Sequence, residues 1–232
     1  MNPAANLGPA HRRRLREIWR SAGWPCRDPI EIELLAVGWL ERCWDPDGRE
    51  TLRVTESGVA ELAATLHHNR AARGAHEALV ARVAQAMQRD GRLVWRGLSL
   101  RAPLPGDDGG TRWVMAKPDV FSLRHTSVED YLEPVVHEIK VTRADLLSDL
   151  RRPDKGAAYR AIAGQCWYVL RAGIAEPEEV PAVYGVIVAG EQSLEMLRPA
   201  PKQAMRLPFS AWMALARAGA EAADDDPPQA RL

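Results

Sequence analysis

A carboxylate and an ammonium group alternate along one short apolar stretch, residues 135–141. Successive side chains of a β-strand point to opposite faces, so Glu138 and Lys140 share one face of the strand predicted here. A second acid, Asp119, lies nineteen residues earlier in another apolar stretch. A hairpin that joins the two strands would place Asp119 beside Glu138, where the two carboxylates repel each other unless a divalent cation lies between them.

Two acids with a nearby amine suit the hydrolysis of a phosphodiester. That reaction needs an activated water and neutralisation of the charge that grows on the phosphoryl group, and a metal ion held by oxygen ligands supplies both. Lys140 adds a cation that can orient the water and screen the phosphate. The simpler interpretation is a surface ion pair between Glu138 and Lys140, worth less than about 1 kcal/mol.

The order of these residues resembles a known family. Pro118-Asp119 followed by Glu138-Ile139-Lys140 resembles the motif of the PD-(D/E)XK nuclease superfamily. Within that superfamily, residues 137–149 and the later apolar run at 166–170 are similar to the bacterial MmcB-type DNA repair proteins. The likeness covers about residues 75–190 and leaves the first 70 residues unmatched.

The resemblance implies a role for each residue of the motif. Asp119 and Glu138 would bind Mg2+ or Mn2+ with help from the backbone carbonyl of Ile139, and Lys140 would position the attacking water. The helix before the core of such nucleases often contributes another acid, and Glu77 is the candidate here. Nuclease folds of this kind often act as dimers, so the resemblance also implies a homodimer. His137, on the opposite face of the strand, is expected in the core.

The elements that must position these residues follow from hydrophobic periodicity. This periodicity predicts an α/β domain over residues 71–220, and the resemblance implies that its core is a restriction-endonuclease-like mixed central sheet flanked by helices. Its predicted strands are 93–104, 113–123, 134–141, 166–170 and 184–188, and its predicted helices are 75–88, 143–150, 155–163 and 210–218. An acidic tail, residues 221–232, has nothing to bury and is predicted to be disordered.

The first 70 residues predict a separate domain whose order of helix, helix, hairpin and helix, with the string at residues 49–62, resembles a small winged-helix domain. Its helices are expected at 11–21, from Pro29 to about Arg42, and from a Thr55 cap to about His68, with a hairpin strand at 49–55. Residues 69–74 lack periodicity and predict a short linker. The helix after Asp28 carries several acids, so direct DNA binding and a purely packing or protein-binding role stay equally open for this domain.

Two basic clusters are predicted to contact DNA phosphates. The alternative for both is a solvated, ion-paired surface, because acids are interleaved with the basic residues. The residues are Arg12, Arg13 and Arg14 near the start of the chain, and Arg143, Arg151, Arg152 and Lys155 after the motif.

The composition is that of a globular protein. The 232 residues carry 31 basic and 31 acidic side chains, and 46% are hydrophobic, which excludes bulk disorder. No stretch reaches the roughly 18 apolar residues of a membrane helix, and no signal peptide is recognisable, so a cytoplasmic protein without a membrane partner is expected. Three widely spaced cysteines argue against a disulfide framework or a zinc knuckle.

These observations together predict a Mg2+-dependent DNA nuclease, a hydrolase of DNA repair or processing, whose winged-helix domain tethers the catalytic one. Two alternatives stay open. One is a catalytically inactive DNA-binding regulator or structure-recognition protein on the same fold. The other is a restriction-type or mobile-element endonuclease.

Overall fold

The computed structural model describes residues 7–219, and the predicted tail at 221–232 lies outside the described residues. The chain divides after Ala71 into unit 1 and, from Ala72, unit 2. The helices are α1 (Pro9–Trp19), α2 (Pro29–Ala36), α3 (Glu56–Arg89), α4 (Arg143–Leu150), α5 (Pro153–Arg160) and α6 (Phe209–Arg217). The strands are β1 (Leu40–Trp44), β2 (Glu50–Val54), β3 (Arg92–Arg96), β4 (Leu100–Pro105), β5 (Thr111–Ala116), β6 (Val120–Arg124), β7 (Val135–Lys140), β8 (Gln165–Arg171), β9 (Gly185–Ala189) and β10 (Leu194–Arg198).

Unit 1 contains α1, α2, the antiparallel hairpin β1–β2 and the first part of α3. The predicted start of α2 is confirmed, because the Asp28 side chain caps the helix by accepting a hydrogen bond from the Glu31 N–H. The predicted hairpin is also confirmed. The predicted end of α2 near Arg42 is wrong, since the helix stops at Ala36 and Gly38, with φ of 74°, turns the chain into β1.

The predicted linker at residues 69–74 is wrong. These residues are helical, and the two helices expected on either side of them are one 34-residue helix, α3. The segment is rich in alanine and arginine, which are strong helix formers, and the single Gly74 costs only about 1 kcal/mol relative to alanine. Missing hydrophobic periodicity therefore marked an exposed helical stretch and not a loop.

Unit 2 is a mixed α/β structure built on a six-stranded sheet in the order β10-β9-β8-β7-β6-β3. The pairs of β7 with β8 and of β8 with β9 are parallel, whereas the other three pairs are antiparallel. The strands predicted at 93–104 and 113–123 are each two strands. Gly97, with φ of 58°, lies in the break of the first. Pro118, which has no N–H to donate to a ladder, lies in the break of the second, between β5 and β6. The extra strands β4 and β5 pair as a separate hairpin.

Helices cover both faces of the central sheet. On one face, Ile139 of β7 packs with Leu79 and Val83 of α3. On the other face, Val136 of β7 belongs to a larger core that includes residues of α4, α5, α6 and the β4–β5 hairpin. All six residues of β7 are buried, and alternation along the strand places Glu138 and Lys140 on the Val136 face.

Within residues 7–219, no helix combines the length and the apolar character that crossing a membrane would require.

Candidate functional site

Asp119 lies beside Glu138, at the point where β6 begins. The strands β6 and β7 pair so that Val120 is opposite His137, and continuing that register by one residue places Asp119 opposite Glu138. Asp119 does not extend the ladder with its backbone. Instead, its Oδ2 accepts a hydrogen bond of 2.8 Å from the backbone N–H of Ile139. This bond fixes the Asp119 carboxylate against the strand that carries Glu138.

The Glu138 carboxylate accepts hydrogen bonds from three side chains. Its Oε1 accepts from Lys140 Nζ at 2.8 Å and from Lys155 Nζ at 2.5 Å, and its Oε2 accepts from the Tyr159 hydroxyl at 2.8 Å. Glu138 is only 4% exposed. Burial, and secondarily the negative charge of Asp119, raise the pKa of Glu138 above its ordinary value. Bringing two carboxylates together therefore has an electrostatic cost, which the two lysines offset in part.

A further buried carboxylate, Asp149 in the last turn of α4, completes the charge balance. It accepts hydrogen bonds from Lys155 and, at 2.9 Å, from the Tyr168 hydroxyl, and its Oδ2 lies 3.5 Å from Lys140 Nζ. Burial opposes its ionisation, but the Lys155 hydrogen bond and the Lys140 charge outweigh that effect and lower the pKa of Asp149. The site thus contains a buried network of two acids and two lysines, which we call the charge network (Glu138, Lys140, Asp149 and Lys155).

Lys140 is a cation at neutral pH. Its burial by itself would lower its pKa, but the Glu138 carboxylate and the hydrogen bond to it raise the pKa above the ordinary lysine value. Because the amine stays protonated, it can donate hydrogen bonds and stabilise negative charge but cannot act as a general base.

Tyr159 connects Glu138 with the segment before Asp119. Its hydroxyl lies 2.8 Å from Glu138 Oε2 and 3.0 Å from the carbonyl oxygen of Lys117. Burial and the charge of Glu138 raise the pKa of Tyr159, so its phenol keeps its proton as a donor. Tyr159 and Lys155 are four residues apart on α5 and share one helix face, which is how one short helix contributes two groups to the site.

The preceding helix presents a histidine to the site. His76 Nε2 lies 3.3 Å from Asp119 Oδ2, and this contact raises the pKa of His76. The side chain of Glu77, which the resemblance proposes as an additional acid, is 70% exposed and lies 3.7 Å from His76 Nδ1. The structure thus brings Asp119, Glu138, Ile139 and Lys140 together, and it places His76, the residue before the expected Glu77, next to Asp119.

Most of the predicted DNA contacts have intramolecular partners. Arg12 lies 2.7 Å from Glu61, Arg13 lies 3.7 Å from Glu17, and Arg14 lies 2.6 Å from Asp28. In unit 2, Arg143 donates two hydrogen bonds to Glu179, and Arg151 donates one to the Leu147 carbonyl. Lys155 belongs to the charge network, and Arg152 is the N-cap residue of α5. These pairings favour the ion-paired alternative at Arg12, Arg14 and Arg143.

The oxygen atoms present suit a hard divalent cation. Residues 7–219 contain no cluster of three or more histidine, cysteine, aspartate or glutamate side chains that could hold a metal. Mg2+, however, usually takes one or two carboxylates and completes its shell with waters and substrate phosphates. A residue in an antiparallel strand directs its N–H and C=O toward the same neighbour, so the Ile139 carbonyl faces the side on which Asp119 binds its N–H. Two carboxylates and one carbonyl fit Mg2+.

Comparison with known proteins assigns no family. No family model matches the chain, and no curated protein matches it. A similar solved structure is the SPO1766 protein of unknown function from Silicibacter pomeroyi, which is 22% identical. The match covers 60% of this chain and 84% of that one, with a TM-score of 0.40.

Proposed function

We propose that this protein is a Mg2+-dependent nuclease that hydrolyses phosphodiester bonds of DNA in repair or processing. The observation that carries the proposal is a buried Glu138–Lys140 pair on a central strand with Asp119 fixed beside it through the Ile139 N–H. Burying these charges is costly, and a structural ion pair could be replaced by apolar side chains without loss of stability. Perturbed, buried charges at the end of a strand are typical of functional sites.

The architecture supports the same proposal. The mixed six-stranded sheet with helices on both faces agrees with the restriction-endonuclease-like fold that the sequence resemblance implies. In unit 1, two helices, a hairpin and a following helix agree with a winged-helix-like domain, whose role would be to tether the catalytic unit to its substrate.

The residues of the site divide the work of hydrolysis. Asp119, Glu138 and the Ile139 carbonyl would hold Mg2+, which when bound supplies an activated water and neutralises phosphoryl charge. Lys140, protonated and only 4% exposed, donates to the attacking water and screens the scissile phosphate. Tyr159 orients Glu138 through its hydroxyl.

Lys155 is the group that must move. It shares Glu138 Oε1 with Lys140, but its side chain is 30% exposed whereas that of Lys140 is 4% exposed. A lysine at the edge of the site can leave Glu138 for a phosphate of the bound strand, which frees one of the two acceptor positions of Oε1, the other being held by Lys140. This gives the predicted DNA contact at Lys155 a specific role in the site.

Cleavage of single-stranded, branched and duplex DNA by the purified full chain, with and without Mg2+, tests the proposal. Asp119→Asn and Lys140→Ala should each lose about a hundredfold or more in rate. Asp130→Asn changes an exposed acid of the same unit and should cleave as the wild type does. Equal cleavage by all four proteins would reveal a contaminating nuclease and refute the site.

A DNA-binding regulator without catalytic turnover is the second candidate. It is favoured by the three donors that already occupy the Glu138 carboxylate. Mg2+-independent DNA binding with no cleavage of any of the three DNA forms would support it over the nuclease.

A further inference from the structure

The hairpin β4–β5 has two chemically different faces. One face belongs to the core of unit 2, since Leu100 and Ala102 are fully buried and Leu104 is 7% exposed. On the other face, Arg101 is the cross-strand partner of Met115, and its guanidinium lies 5.1 Å from the centre of the Trp113 ring. Strand alternation thus presents an arginine, a tryptophan and a methionine together at the surface.

Helix α6 extends this surface into a groove of about 540 Å³. The residues that line it include Arg101, Trp113, Met115, Phe209, Met213 and Arg217. Phe209 is 77% exposed, Met115 is 62% exposed and Trp113 is 45% exposed. Two of the lining residues are arginines, and no lining residue within 7–219 is acidic.

The groove is held in shape by hydrogen bonds that do not involve its exposed side chains. At the start of α6, the Ser210 hydroxyl donates to the Arg101 carbonyl at 3.0 Å. After its end, the Ala218 carbonyl accepts from Trp95 Nε1 at 2.9 Å. Because α6 is anchored at both ends, the backbone positions of Phe209 and Trp113 are set before any ligand binds, which lowers the entropic cost of binding.

We infer that this groove binds single-stranded DNA. Unpaired bases stack on exposed aromatic rings, and arginines along the same groove contact the phosphates. Trp113 and Phe209 supply the rings, and Arg101 and Arg217 supply positive charge, with no acid among the groove residues within 7–219. Duplex DNA does not fit this chemistry, because the faces of its bases are covered by their neighbours in the stack.

The groove adjoins the proposed site along the chain. Met115 precedes Asp119 by four residues, which span at most about 14 Å. The β5 end of the groove and Asp119 are therefore close enough for one bound strand to reach both. The substrate class inferred here, single-stranded DNA, rests on the proposed nuclease function for its role, but binding to the groove can be measured without cleavage.

Fluorescence anisotropy of a labelled oligothymidylate in EDTA measures that binding on the full chain, where no Mg2+-dependent hydrolysis occurs. Trp113→Ala and Phe209→Ala should each weaken the affinity by about 5- to 150-fold, the range for loss of one stacked base. Tyr131→Ala removes another exposed aromatic of unit 2, 60% exposed and outside the groove, and should bind as the wild type does. Arg217→Gln should reduce the salt slope of the affinity by about 0.7, the value for one phosphate contact with a single strand.

Several results would overturn the inference. They are absence of binding by the wild type, an affinity unchanged in both aromatic variants, and tighter binding of duplex than of single-stranded DNA. A dimer in sedimentation that Trp113→Ala dissociates, with DNA affinity unchanged, would assign the groove to a second copy of the chain instead.

The two proposals fail separately. Loss of binding in Trp113→Ala with no cleavage by the wild type would support the groove and refute the nuclease. Cleavage at the same rate by the wild type and by Trp113→Ala, with unchanged binding, would support the nuclease and refute the groove.

Discussion

Removing the charge of Asp149 tests whether the charge network is one energetic unit. Asp149→Asn keeps the side-chain shape but leaves Glu138 as the only buried carboxylate that contacts Lys140 and Lys155, with the half-exposed Asp145 3.4 Å from Lys140 Nζ. Removing one partner of a buried ion pair costs about 3–5 kcal/mol. We expect a loss near the lower end, about 3 kcal/mol, because Lys155 is 30% exposed and can turn toward water.

The second substitution, Lys155→Met, restores the balance by removing one lysine. The double variant should therefore be less destabilised than the sum of the two single variants by about 1–3 kcal/mol. Arg112 and Asp154 offer a matched control, an exposed pair whose atoms lie 3.0 Å apart and whose side chains are 50% and 64% exposed. The corresponding cycle with Arg112→Gln and Asp154→Asn should show a coupling below about 1 kcal/mol.

Urea unfolding followed by far-ultraviolet circular dichroism measures the free energy of unfolding of all these variants. All the substituted residues belong to unit 2, so where two transitions are resolved, the one that the substitutions shift is the one compared. If the Asp149 and Lys155 substitutions are additive within about 0.5 kcal/mol, the four groups do not act together and the reasoning is refuted.

Three further predictions follow from single contacts. Burial lowers the pKa of His137 from 6.5 to about 3, so below pH 6.5 the unfolded chain binds a proton that the native chain does not. The free energy of unfolding should then fall by up to about 1.4 kcal/mol per pH unit from pH 6.5 toward pH 3. Urea unfolding of His137→Leu should show a smaller dependence on pH than the wild type. Equal slopes in the two proteins would contradict the burial of a neutral imidazole. Tyr159→Phe removes the single hydroxyl proton that lies between Glu138 Oε2 and the Lys117 carbonyl, and it should lower the free energy of unfolding by about 1–3 kcal/mol, whereas the exposed Tyr131→Phe should not change it. The Arg143 guanidinium lowers the pKa of Glu179 to about 2, and NMR titration of Arg143→Gln should find that pKa higher; an unchanged value would show that the pair does not form in solution.

The strand that carries the proposed site could be predicted from local sequence alone. Alternation over residues 135–141 is sufficient to place Glu138 and Lys140 on one face, and the observed β7 places its side chains accordingly. The proximity of Asp119 to Glu138 needed only one further assumption, a hairpin between two apolar strands, and β6 pairs with β7 in that way.

Features that depend on tertiary structure or on exposed surfaces could not be predicted in this way. Asp149, Tyr159 and His76 converge on the site from three different helices, and no local pattern distinguishes them from other polar helix residues. The exposed stretch of α3 at residues 69–74 carries no apolar stripe, so the hydrophobic pattern misses it although its residues are strong helix formers.

The most direct test of the central claim is anomalous diffraction from a crystal soaked in Mn2+, measured near the manganese edge. The account predicts one peak contacted by the carboxylates of Asp119 and Glu138 and by the Ile139 carbonyl, and its loss in Glu138→Gln. A peak elsewhere, or none at these residues under saturating Mn2+, would contradict the claim that the two acids share a divalent ion.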